Sequence, residues 1–336
     1  MKRVVLSSGL RAADIRPDAL ISEFRRLSER DAQAYLADPA VQEEANCPAC
    51  GGAHAKPAFA RNGFAYQQCA ACGSVYVSPR PSAAALERYY LESEASRFRV
   101  EHFSRDTAKA RRYHLLCSHA NWMGRMADEA GNPEARAYAD VETYSPEIFE
   151  EIARLGAFDY LYSIRPLLSA NAPQQITESE DWNLPEQLGA VSAFEKLEHQ
   201  HNPLLLLKRM TDLVAPGGLL FFTTRTISGF DLQVLWEKTP YVFVPEHLNL
   251  MSIEGLTALV ERAGLELIEL STPGQLDVQL VQQACAADST ISLPPFLEYL
   301  LNKRDVLAHE DFQAYLQKHR LSSHVRFAAR KPGSTS

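Results

Sequence analysis

No stretch of this 336-residue chain approaches the ~18 consecutive apolar residues of a membrane-spanning helix. An excess of positive charge is also missing. The 34 Lys and Arg stand against 42 Asp and Glu, a formal net charge of −8. That balance argues against non-specific attraction to nucleic acid or to an anionic membrane, while leaving room for a local basic patch. Near the start, Val4–Leu6 is too short an apolar run for a secretory signal, so a cytoplasmic location is expected. Cysteine is scarce: there are six, and four of them fall in two close pairs. In a cytosolic protein such pairs suggest metal before disulfide. Cys117 and Cys285 stand alone and read as small buried side chains. What the chain does have is an ordinary globular composition, 46% hydrophobic and 23% charged. It suffices for one large core plus a smaller appended module, with disorder expected only at the tips.

The sharpest local signal is the cysteine pattern. CPACG and, eighteen residues on, CAACG supply Cys47, Cys50, Cys69 and Cys72. Two residues between thiolates let one turn aim both sulfurs at one ion, and the following glycine relieves the backbone behind them. Four thiolates close a tetrahedral shell, so the implied zinc is structural. A short segment that cannot bury a core of its own gains most from such a staple. His54, between the pairs, is left without a place in the shell and is expected at the surface.

A second organised stretch runs from Ala190 to Thr224. Ala190–Phe194 reads as a buried strand. An acidic, His-bearing turn follows, with Glu195, Glu198, His199 and His201. Pro203 suits the first turn of a helix, and Leu204, Leu207, Met210 and Leu213 recur at helical spacing. Pro216-Gly217-Gly218 should stop that helix and turn the chain into a strand over Leu219–Thr224. Strand, helix and strand form a βαβ unit of an open parallel sheet, whose ligands bind at the strands' carboxyl ends. Glu195–His201 thus lies at the mouth of a candidate site.

The rest falls into place around these two blocks. Residues 1–45 form a helical lead-in with Leu20, Phe24 and Leu27 on one face, and 46–82 the zinc ribbon, with Val75–Pro81 a strand ending at a proline corner. Residues 83–130 form a helical linker or cap. Its run of Arg97, Arg99, His102, Arg105, Arg111, Arg112, His114 and Trp122 suits either a phosphate-bearing ligand or a basic solvated face. Residues 131–330 form the α/β domain. Ala137–Val141 and Phe158–Ile164 read as strands, Pro146–Leu155 as a helix, and Pro173–Pro185 as an acidic loop. Leu265–Ser271 and Asp277–Gln282 read as the last two strands, with helix from Pro294 onwards. Within 226–250, Trp236, Tyr241 and other aromatics make a candidate substrate lid.

These pieces together resemble the class I S-adenosylmethionine-dependent methyltransferases, specifically bacterial members with an N-terminal zinc ribbon encoded among sugar and surface-glycan genes. The resemblance spans roughly Cys47 to Lys331. It rests on CPACG, CAACGSVYVSPRP, LERYYLESEASRF, AFEKLEHQHNP, LVAPGGLLFFTT, PEHLNLMS and LSSHVRFAARKP. It implies a doubly wound, Rossmann-like seven-stranded sheet with a reversed final hairpin. It also implies a cofactor loop after the first strand, at Asp140, Glu142 and Tyr144, and a ribose-binding acid after the second, where Arg165 stands. The family's loop carries glycine so that backbone can approach the cofactor; here Glu142 and Tyr144 replace it. Arg165 has only donors and cannot accept from ribose hydroxyls. No G-x-G occurs between Asp128 and Gly189.

Three readings follow. The first is a methyltransferase fold that has lost the methyl donor. It would bind a sugar or other small molecule and pair with an active methyltransferase paralogue or with itself. The second is an active enzyme with an unusual loop, with His199 and then His247 as general base and Glu195, Trp236 and Tyr241 toward substrate. The third is a different enzyme on the same fold, with Arg165 marking an anionic ligand. The bland readings are that His199 and His201 cap a helix, Glu195 and Glu198 favour its N-terminus, and Trp236 and Tyr241 fill core.

Overall fold

The computed structural model describes residues 10–167 and 176–333. Its centre is a seven-stranded sheet. We number its strands β1 (Ala137–Val141), β2 (Tyr160–Ile164), β3 (Ile176–Ser179), β4 (Leu188–Phe194), β5 (Val214–Arg225), β6 (Glu266–Ser271) and β7 (His324–Arg330). The order across the sheet is β6-β7-β5-β4-β1-β2-β3. Strands β1 to β5 are parallel, and β7 runs antiparallel to both β5 and β6. The expected Rossmann-like sheet and its reversed hairpin are both present.

Burial explains why these segments are strands. Every residue of β1 is buried, as befits a central strand covered on both faces. Ala139, Val191, Phe222 and Phe327 pack into one core layer, and Tyr138, Ala190, Phe221 and Ala328 into the opposite one. The alternation along each strand sorts them. The helix Pro203–Leu213 begins at Pro203, with the Asn202 side chain accepting from the Leu205 amide at 3.1 Å.

Four expectations are corrected. Asp277–Gln282 belongs to a helix, Asp277–Ala287, whose buried Val278, Val281 and Ala284 sit at helical spacing. The strand that closes the hairpin is instead β7, so the chain after Pro294 is helical only over Pro295–Lys303 and Val306–Lys318. Ile176–Ser179, expected within a loop, is the edge strand β3; residues 173–175 of that loop lie outside the described residues. Pro216-Gly217-Gly218 does not precede a strand but sits inside β5, where the register with β4 shifts between Val214 and Leu219. Gly217 there has a φ of +77°, a conformation that favours glycine.

The N-terminal part is built onto this sheet. A helix, Asp18–Leu36, buries Phe24, Leu27 and Leu36. The cysteine module forms a four-stranded antiparallel sheet, ordered Asn249–Leu250, Val75–Val77, Phe64–Cys69, Ala55–Arg61. Its first strand comes from the lid region, so the two parts share one sheet. The linker is a nearly continuous helical run from Glu94 to Ala130, interrupted by two wider π-helical segments, Arg99–Ser104 and Arg112–Leu116. Among the described residues no helix is long and apolar enough to cross a membrane.

Candidate ligand cavity at the strand ends

In an open α/β sheet the crevice for ligands lies where the chain's direction of winding reverses. Here that point falls between β1 and β4, which are neighbours although β2 and β3 come between them in sequence. A cavity of about 130 Å³ opens over the carboxyl ends of β1, β4 and β5. A water molecule needs only about 10–15 Å³ by this kind of measure, so the space suits a small organic molecule.

The cavity draws on stretches far apart in sequence. Arg16 and Phe24 come from the N-terminal segment, Arg99, Arg111 and His119 from the linker, and Tyr241 and His247 from the lid. The linker's basic run therefore divides. Arg99 and Arg111 face inward, where Arg99 pairs with Glu246 and Arg111 with Glu195 at 3.1 Å. Arg112 faces out and holds Glu150 and Glu151, both at 2.7 Å, while Trp122 packs edge-on against Phe221 in the core.

Tyr144 and Lys196 define the crevice itself. Tyr144 follows β1 and Lys196 follows β4. The Lys196 Nζ lies 3.4 Å from the centre of the Tyr144 ring, and the Arg99 guanidinium 4.3 Å from it. Side chains from the two walls thus meet across the switch point. Burial lowers Lys196 to about 7, Glu142 opposes the shift, and Arg99 adds to it. Burial pushes the Tyr144 hydroxyl up to about 12. Asp140, at the end of β1, accepts from Ser192, and burial raises its carboxyl to about 6.

The remaining cavity groups are unusually short of partners. The Lys196 Nζ, the Arg225 Nε and the Nδ1 atoms of His119, His199 and His247 are buried without a hydrogen bond. The His199 Nδ1 comes within 3.6 Å of the Glu246 carboxylate. Burial holds both His199 and His247 well below the usual imidazole range, so this is a contact between a carboxylate and a neutral ring, not an ion pair. Glu198 accepts from the Thr224 hydroxyl at 2.5 Å, and burial raises it to about 7. The Arg16 backbone amide donates to the Ala12 carbonyl at 2.7 Å, while its guanidinium has no ion pair or hydrogen bond among the described residues. Burial lowers its pKa, and nearby Arg225 adds to the effect.

Several expected site residues stand elsewhere. His201 bonds Glu43 at 2.7 Å, away from the cavity. Trp236, expected toward substrate, is not among the residues lining the cavity. Its ring packs edge-on against Phe59, and its indole N–H points to the Ala58 carbonyl at 3.4 Å, so it ties the lid to the cysteine module. Glu142 and Arg165 do not line the cavity either; they face each other at 4.0 Å across the ends of β1 and β2. Glu195, Tyr144, Tyr241, His199 and His247 all line it. Sequence reasoning missed Lys196, Glu246 and Arg225. For Lys196 a signal existed, a basic residue directly after the strand that faces the crevice.

These features bear on the methyl donor. The resemblance implies a glycine-bearing loop after β1, and here that loop carries Glu142 and Tyr144. The Tyr144 ring, covered by Lys196 and Arg99, fills the side of the crevice where the resemblance places bare backbone.

The cysteine cluster has the geometry of a tetrahedral zinc site. The sulfurs of Cys47, Cys50, Cys69 and Cys72 all lie within 4.8 Å of one another, with Cys47 to Cys72 at 3.6 Å and Cys50 to Cys69 at 3.5 Å. Tetrahedral zinc with bonds of about 2.3 Å spaces its sulfurs about 3.8 Å apart. Gly51 and Gly73, with φ of +80° and +75°, make the turns behind each pair. His54 is exposed, as expected, whereas Cys117 and Cys285 are half-buried and not buried.

Residues 123–270 match the family model of a methyltransferase domain. The ubiquinone biosynthesis O-methyltransferase of Colwellia psychrerythraea strain 34H is 27% identical over 117 residues, 33% of this chain and 48% of that protein. The chain thus spans about half the length of the curated relative it matches. Among solved structures, an O-methyltransferase family protein from Burkholderia thailandensis aligns with a TM-score of 0.43 at 12% identity, covering 72% of this chain and 63% of that one. An S-adenosylmethionine-dependent methyltransferase from Clostridium acetobutylicum aligns with a TM-score of 0.40 at 7% identity, covering 69% and 98%. The sheet order and the methyltransferase-domain match together give a class I methyltransferase fold.

Proposed function

We propose that this protein is a methyltransferase-fold binding protein that no longer uses S-adenosylmethionine and holds an anionic small molecule in the cavity at its strand ends. The observation that carries the reading is the Tyr144–Lys196 contact across the switch point. Arg16, without a carboxylate partner, and the unpartnered donor of Arg225 supply the affinity for an anion. An anionic sugar derivative suits both this chemistry and the glycan-associated type that the sequence resembles. The protein would then serve beside an active methyltransferase or a second copy of itself. A structural zinc in the cysteine module completes the proposal.

Calorimetric titration of the purified protein with S-adenosylmethionine and S-adenosylhomocysteine tests it. No heat of binding is expected up to millimolar ligand. Micromolar affinity for either compound overturns the reading. A specific observation favours a second reading, an active methyltransferase: His199 and His247 are neutral rings within the cavity and suit a general base. Under that reading the Colwellia relative points to an oxygen acceptor, and transfer of a labelled methyl group from the donor decides for it.

A further inference from the structure

The Lys196 Nζ has no carboxylate within ion-pair distance and no hydrogen bond among the described residues, yet Lys196 lines the cavity and is 3% exposed. A buried lysine left in this state has lost most of its hydration and gained little for its charge. Its ammonium lies over the face of Tyr144. A structural role alone would favour a methionine or leucine there, because that contact returns only about 2 kcal/mol against the several that burying a charged amine costs. Desolvated lysines beside another cation are the ones that act as nucleophiles toward carbonyl carbon, and Arg99 supplies that second cation, stacked on the same ring.

We infer that Lys196 is a carbonyl-capturing amine, whose Nζ forms a reversible imine with a small aldehyde or ketone that also bears a carboxylate or phosphate. The step balances without any redox partner. The Nζ lone pair adds to the carbonyl carbon, both Nζ protons pass to the carbonyl oxygen, and that oxygen leaves as water. Glu198 lines the same cavity, and burial raises it to about 7, so near neutral pH it can both give and take a proton. Arg16 and the Arg225 Nε stand ready for the anionic group. The inference rests on the reading that a ligand other than the methyl donor occupies this cavity.

The charged surroundings of Lys196 set its pH response. Asp140, Glu142 and Tyr144 come from the end of β1 and its loop, and Arg99 from the linker. Glu246 and His247 belong to the lid, and Glu195, Glu198 and His199 to its own turn. Burial brings the amine to about 7, so about half is unprotonated at neutral pH, against about one part in a thousand for an exposed lysine.

The test uses the full chain, glyoxylate as probe and cyanoborohydride to reduce any imine to a stable amine, with modified lysines located by peptide mass spectrometry. At pH 7 Lys196 should be labelled about tenfold faster than the exposed Lys56 and Lys303, after allowing for the weaker nucleophilicity of a less basic amine. The advantage should disappear above about pH 10, where all lysines lose their protons. Lys196→Arg keeps a cation against Tyr144 and should abolish the fast labelling alone. Labelling of Lys196 no faster than Lys56 and Lys303 overturns the inference. That comparison is made within one wild-type sample, so it stands even if the variant fails to fold. Binding of S-adenosylhomocysteine would overturn the function proposed above by a separate measurement, leaving the labelling ratio to be read on its own.

Discussion

Three strand ends share one uncommon backbone conformation. Glu142 after β1, Arg165 after β2 and Glu195 after β4 have φ of +53°, +50° and +53°. Holding an L-residue there costs about 1–2 kcal/mol, a strain that glycine escapes. The sequence already exposed Glu142 and Tyr144 as departures from a glycine loop. It could not expose the contact across the switch point, because Lys196 meets Tyr144 only once β1 and β4 lie side by side. At Glu142 the strain can be isolated by comparing two substitutions that both remove the carboxylate. Glu142→Gly should be more stable than Glu142→Ala by about 1 kcal/mol in urea unfolding. Equal stabilities would mean that the turn relaxes without strain. A second residue-scale expectation concerns His119, packed against Phe194 at 4.7 Å with its Nδ1 unpartnered. Burial lowers it to about 3, and His324 and Arg326 add to the shift. In the unfolded chain its pKa is about 6.5, so below that pH the unfolded state takes up a proton that the folded state refuses. Its contribution is therefore intact above about pH 6.5 and lost as pH falls toward about 3, by at most ~1.4 kcal/mol per pH unit. His119→Phe keeps the ring packing and should gain on wild type between pH 7 and pH 5. A gap that stays constant over that range would show that His119 titrates in the fold as it does in the unfolded chain.

At the scale of elements, the cysteine module and the lid are one mechanical unit. Asn249 and Leu250 pair with Tyr76 and Val75. Just past the lid, the Ser252 hydroxyl donates to the Cys72 carbonyl at 2.5 Å, and Arg262 of the following helix reaches the Ala49 carbonyl at 2.5 Å. From the module, Arg80 donates to the Asn249 side chain of the lid at 3.0 Å and to the His201 carbonyl of the turn after β4 at 2.7 Å. The cysteine spacing was fully legible because two thiolates per turn need a fixed separation. The joining strand was not, because two residues carry no period, and Asp277–Ala287 misled because its apolar pattern fits strand and helix over so short a run. The coupling implies that removing the proposed zinc loosens more than the module. Chelation at neutral pH should speed amide exchange in residues 241–252 as well as in 47–77, while the amides of β1 and β4 stay protected. Exchange confined to residues 47–77 would show that the lid is held by the α/β domain alone.

Across the whole molecule, the cavity depends on the N-terminal segment, the linker and the lid, far apart in sequence, being packed together. The N-terminal helix was legible as an amphipathic element, with Phe24 and Leu27 on one face, but nothing in its own pattern pointed to a ligand cavity. Its role comes from what it covers. Phe24 is buried, meets Phe243 of the lid edge-on at 5.8 Å, and lies 6.0 Å below the Arg99 guanidinium. Phe243 in turn packs against the ring of His247 at 5.6 Å, and the next ring, His199, lies 6.5 Å further on. One aromatic chain thus runs from the lead-in helix, through the lid, to the turn after β4. Truncating Phe24 to alanine removes the first link and leaves a hole beside the second, at a cost of about 3–5 kcal/mol if the site cannot collapse. The loss should not stay local. With Phe243 unsupported, water gains a path to His247, whose imidazole burial now holds well below its usual range. Phe24→Ala should therefore bring the His247 titration, followed by NMR of the ring protons, back up toward about 6.5. A variant destabilised by this amount but with His247 still silent above pH 5 would show that the lid, without the N-terminal helix, keeps the cavity dry.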